Sequence, residues 1–157
     1  LDQEFQAQEI VKLIPTSFKV ISIIFLIFSL IAIRFFERSL FPEALLDFYA
    51  TTYSFSEPPN FNWFNLISTT ILRYLVNSIL SILIIYILFP STKTLKFVVW
   101  FYSVAFVVLI SAFSILLSQL TPEYYMTLFY IRRFLIQPLF LILLVPALYY
   151  QKKVAQK

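Results

Sequence analysis

Apolar positions along this chain of 157 residues gather into four long runs instead of alternating with polar ones. The first runs from Ser17 to about Phe36 around the uncharged core VISIIFLIFSLIAI, and the second from about Leu66 to Phe89, interrupted by Arg73 and Asn77. Pro90, just beyond the second run, lacks the amide that a continuing helix needs. The third, from Phe97 to Leu117, is uncharged, with Ser103, Ser111 and Ser114 as its aliphatic hydroxyls. The fourth begins between Met126 and Phe134 and ends near Tyr150, with Arg132, Arg133, Gln137, Pro138 and Pro146 inside or beside it. A helix needs about 20 residues to cross roughly 30 Å of hydrocarbon. The pattern therefore predicts spans over about 17–36, 66–89, 97–117 and 127–150. Strands of a membrane barrel would alternate apolar and polar residues over about ten positions, which these runs do not do. A cleaved leader is a poor reading of the first run, because RFFERSLF follows it where a small-residue cleavage site is needed.

Composition agrees, with 61% hydrophobic and 13% charged residues and 19 Phe, 10 Tyr and 2 Trp. Soluble domains are about 45–50% apolar and 25% charged. Zero Cys and zero His exclude disulfides, thiolate nucleophiles, imidazole bases and the commonest zinc ligands. Zero Gly excludes Gly-rich phosphate loops and GxxxG contacts, so close helix packing rests on Ser, Ala and Thr.

Charge orients the spans through the cytoplasmic preference of Lys and Arg. Lys12 and Lys19 flank the start of the first span, Lys93 and Lys96 lie in the PSTKTLK turn, and Lys152, Lys153 and Lys157 form a basic tail over 151–157. The first connection carries Glu37, Glu43, Asp47 and Glu57 against Arg34 and Arg38, and SQLTPEYYM carries Glu123 and no cation. The expected architecture is all-α: an integral membrane four-helix bundle, 17–150, with both termini cytoplasmic. All seven Lys then face the cytoplasm, and all five Arg lie outside or in the outer half of the membrane. Lys is a compact hydrated charge, whereas Arg offers a forked donor set suited to buried pairing with carboxylates or phosphates.

Helical spacing sharpens the arginine pattern. Arg73, Asn77 and Ser81 stand at i, i+4 and i+8, with Thr69 and Thr70 a turn before, and form a polar stripe expected to face the bundle. Arg133 and Gln137 are also four apart, and Pro138 frees a carbonyl one turn earlier for a neighbouring helix or water. Arg34 and Arg38 lie at the outer end of the first span. Arg34, Arg38, Arg73, Asn77, Arg132, Arg133 and Gln137 are therefore the candidate site, with two readings. Either they pair with one another, with nearby acids and with backbone carbonyls to hold the bundle, or they form a positive outer patch for an anionic group. Such a group would be a lipid phosphate, a polyprenyl-linked glycan, a peptide carboxylate or the acids of a partner.

The first outer connection predicts a short interfacial helix from Pro42 to about Tyr49 among aromatic residues that set its depth. Residues 1–16 read as a loosely amphipathic surface segment. No catalytic set assembles. Every Lys is on the inner side, away from a buried Ser; Asp2 and Asp47 lie outside the spans; and the eight acids are scattered. No metal, cofactor or nucleic-acid partner is expected, and the oligomeric state stays open.

Three segments resemble the exosortase F system-associated membrane proteins of Bacteroidetes: part of IRFFERSLFPEALLDFY, 33–49; LRYLVNSILSILIIYILF, 72–89; and FYIRRFLIQPLFLILLVPALYYQ, 129–151. RRFLIQP, 132–138, is the most specific part, and the resemblance runs from the first span to the tail. It implies a noncatalytic accessory in a bacterial inner membrane, beside an exosortase-type protease or transpeptidase that sorts proteins at the outer face. Exosortases use Cys, Arg and His, so a chain with no Cys and no His would be the partner and not the enzyme. The resemblance supplies no catalytic residues. The alternative is a protein that handles lipid or polyprenyl phosphate through its outer arginines.

Overall fold

The computed structural model describes residues 15–36, 62–119 and 122–154. The expected interfacial helix at 42–49, Arg38, and the amphipathic segment before residue 15 lie outside these residues. Among the described residues the protein is all-helical, with α1 at Thr16–Phe35, α2 at Trp63–Leu88, α3 at Thr92–Ser118, α4 at Tyr125–Ile136 and α5 at Leu139–Val154. A 3-10 turn, Pro122–Tyr124, leads into α4. The first three helices are long and apolar enough to cross a membrane, and a bent α4–α5 pair makes a fourth if counted as one span.

Helix ends follow local chemistry more than hydropathy. Asn62 Oδ1 accepts from the Phe64 amide at 3.1 Å, an N-cap that starts α2 three residues before the apolar run does. The α3 helix likewise begins at Thr92, taking in Lys93 and Lys96, because backbone hydrogen bonding continues beyond the hydrocarbon-length core. Inside the spans, hydroxyls bond back to their own helix, as in Thr70 Oγ1 to the Leu66 carbonyl at 2.8 Å and Ser29 Oγ to the Phe25 carbonyl at 2.9 Å. That removes an exposed donor from a solvent that offers no partner.

The fourth predicted span is not one continuous helix. Gln137 adopts an extended conformation, φ −107° and ψ 144°, because the residue before a proline is sterically driven out of the α region. Leu139 N then bonds to the Gln137 carbonyl at 2.8 Å, and α4 and α5 meet at 60°. Each half falls short of the bilayer, at about 18 Å and 24 Å by the rise of 1.5 Å per residue.

The α2 helix is the axis of the fold and packs against α1, α3, α4 and α5. Its buried face recurs at Leu66, Thr70, Arg73 and Tyr74, Asn77 and Ser78, Ser81, and Ile84 and Ile85. In a chain without glycine, the small Thr70, Ser78 and Ser81 supply the close-contact positions. The core continues through Tyr102, Phe113 and Leu117 of α3 and Leu128 and Leu135 of α4. The α1 helix is peripheral: Leu30 is its single buried residue, while Ile24, Phe25, Phe28 and Ile31 all face outward.

Candidate functional site

The polar stripe of α2 points inward as its spacing requires: Arg73 is 3% exposed, Asn77 7% and Ser81 fully buried. Arg73 lies ten residues into α2, about 15 Å from the Trp63 end. That places it in the first half of this 26-residue helix, several turns from either end.

Asn77 has a definite task. Its Nδ2 donates to the Ile136 carbonyl at 2.7 Å, a buried bond between α2 and the last residue of α4. The final carbonyls of a helix have no intrahelical donor, and the break at Gln137 puts such a group in the interior. Sequence reasoning assigned the freed acceptor to the turn before Pro138; the structure shows Asn77 serving the carbonyl at the break itself. At the same end of α4, Arg133 Nε donates to Gln137 Oε1 at 3.0 Å, so the i, i+4 pair read from the sequence is formed.

Arg132 and Arg133 occupy opposite environments. Arg132 is 4% exposed, and Arg133 is exposed. The buried face of α4 is Tyr125, Leu128, Arg132, Leu135 and Ile136, a spacing of three, four, three and one that places Arg132 on the packed side. That spacing was present in the sequence and singles out Arg132 as the interior arginine of the pair.

One pocket gathers part of the candidate set. Leu30, Ile33 and Arg34 of α1, Arg73 and Asn77 of α2, and Ile136 and Pro138 at the break line a cavity of about 20 Å³. This volume holds about one water molecule. Three helices thus converge on the break, with Arg34 at the rim and Arg73 inside. Arg132, Arg133 and Gln137 do not line it.

Next to Arg73 on α2, Tyr74 makes a second interhelical polar contact that the sequence did not indicate. The Tyr74 hydroxyl donates to the Tyr102 carbonyl of α3 at 2.6 Å, and its ring packs on Phe106 at 4.9 Å between centroids. The Tyr102 hydroxyl is buried opposite Ser81, but no bond of proper geometry joins them. Phe140, at the start of α5, meets Phe101 and Tyr102 edge to face at 5.4 and 5.8 Å, which anchors the far side of the break on α3.

Among the described residues no group of His, Cys, Asp or Glu is placed to hold a metal ion. The chain matches no protein-family model, no curated protein and no solved structure.

Proposed function

We propose that this chain is a noncatalytic accessory subunit of a bacterial inner membrane, associated with an exosortase-type protease or transpeptidase that sorts proteins at the outer face. In this reading α1, α2, α3 and the bent α4–α5 pair form a four-span bundle with both termini in the cytoplasm. The observation that carries it is the way the polar residues are used: Asn77 is committed to the Ile136 carbonyl at the break, and the part-open pocket beside it, about 20 Å³, has room for about one water. Polar chemistry spent on holding a helix break suits a subunit that presents a shaped surface. The outward apolar side of α1, packed on α2 alone among its main contacts, gives such a subunit a face for a multispanning partner. The common position of Lys93 and Lys152 at one end supports the orientation through the positive-inside preference.

The second reading, an outer-leaflet site for lipid or polyprenyl phosphate, is favoured by Arg34 and Arg73 lining the same pocket. It requires the pocket to widen, since a phosphate does not fit in the volume of one water.

Affinity purification in mild detergent at native expression, with mass spectrometry of proteins and lipids, separates the two. A stoichiometric multispanning enzyme carrying Cys and His supports the accessory reading. A lone chain carrying a phosphate lipid that is lost in Arg73→Gln overturns it in favour of the second.

A further inference from the structure

At the end of the molecule away from the arginines, the turn between α2 and α3 meets the last turns of α5. Between them lies a groove of about 510 Å³, with Lys93 and Lys152 on its rim, Phe89 and Leu148 in its floor, and Ser91 and Thr94 between. A second groove of about 720 Å³ shares Phe89 and Lys152 and extends along Val145, Pro146 and Tyr149 to Lys153. The two grooves adjoin at Phe89 and Lys152, both are lined mainly by apolar surface, and Lys93, Lys152 and Lys153 lie along them.

We propose that this groove binds an anionic phospholipid, with its headgroup phosphate on Lys93, Lys152 and Lys153 and an acyl chain along Phe89, Val145 and Pro146. The inference rests on the helices being membrane spans and is independent of the accessory-subunit reading.

Charge complementarity is the first support. Glu123, the sole acid among the described residues, lies beyond the far end of α3, about 40 Å from its start by helical rise. Lys93, Lys152 and Lys153 are exposed and form no ion pair among the described residues, and the Lys152 ammonium lies 6.0 Å from the Phe89 ring centre. The second support is backbone. Ser91 stands at the N-cap of α3 in an extended conformation but makes no side-chain cap bond, so the first-turn amides of Lys93 and Thr94 are not satisfied by it. Both residues line the groove, and an anion at this helix start meets oriented N–H groups and the positive end of the dipole. Amphipathic lining is the third: a free anion has no use for Phe89 and Leu148, whereas a lipid uses both the lysines and the apolar surface. Lysines at a helix C-terminus also complement its dipole, but that role does not require Lys93, from another element, to share their groove.

The test uses the purified full chain in nanodiscs of phosphatidylcholine containing phosphatidylglycerol, with lipid retention counted by native mass spectrometry after gentle release. The expected result is one phosphatidylglycerol retained in preference to phosphatidylcholine. Because each basic residue near an anionic headgroup contributes roughly a fivefold factor, Lys152→Gln should weaken retention about fivefold, and the Lys93→Gln, Lys152→Gln, Lys153→Gln triple variant about 100-fold. Lys19→Gln, outside the groove, should change nothing, and the triple Lys→Arg variant should retain the lipid, which separates lost charge from lost folding. Undiminished retention in the triple Gln variant, equal retention of the two lipids, or a loss that follows Arg34→Gln instead would each overturn the assignment.

Discussion

Replacing Asn77 by Leu tests whether one interhelical bond holds the broken span. Asn77 and Ile136 are 7% and 8% exposed, so the 2.7 Å bond between them is shielded from bulk water and lipid headgroups, and the adjoining cavity has room for only about one water molecule. In bilayers such bonds average about 0.6 kcal/mol and reach about 1.7, because the unfolded chain finds other partners. Here the acceptor is a helix-end carbonyl left unsatisfied by the extended Gln137, and losing its donor adds the cost of a buried unpaired group, about 1–3 kcal/mol. We therefore expect the upper part of the membrane range, about 1.5 kcal/mol, or roughly a tenfold shift in the folding equilibrium. Leu approximates the shape of Asn, which limits any cavity contribution. The assay is reversible unfolding in mixed micelles or by steric trapping in bicelles, arranged as a double-mutant cycle with Pro138→Ala. That second change restores an amide and permits helix through the break, so the Ile136 carbonyl gains an intrahelical donor and Asn77→Leu should then cost less than about 0.5 kcal/mol. An Asn77→Leu cost within about 0.3 kcal/mol of zero, or an equal cost in both backgrounds, would refute this account.

Tyr74→Phe removes a bond of similar length to the Tyr102 carbonyl, but that acceptor lies mid-helix and keeps its backbone donor; the same assay should show only about 0.5 kcal/mol. Arg132→Gln should destabilise by about 2 kcal/mol, whereas Arg133→Gln, which removes an exposed contact with Gln137, should cost under about 0.5. Single cysteines replacing Ser91 and Ser56 should react with an impermeant maleimide from opposite sides of the membrane, and reaction of both from one side would eliminate the four-span topology. In phosphatidylcholine without phosphatidylglycerol, the triple lysine variant should unfold at the wild-type midpoint, because all three side chains are exposed.

The helical class was legible in the chain because uninterrupted apolar runs as long as a bilayer is thick admit few other backbones. So was the inward stripe of Arg73, Asn77 and Ser81, since a spacing of four keeps side chains on one face whatever the helix packs against. The separate roles of Arg132 and Arg133 were latent in the spacing of Tyr125, Leu128 and Leu135, but two adjacent arginines look alike until one face is packed. Local sterics disfavour helix before either proline, and it took the tertiary structure to decide that the residue before Pro138 breaks its helix while the one before Pro146 stays within α5. A proline removes the same amide in both places. At the first, a neighbouring helix brings a donor, Asn77, to the carbonyl the break exposes. The meeting of Lys93 with Lys152 was equally out of reach of the sequence, because it depends on where α5 ends after a 60° turn and not on any local preference.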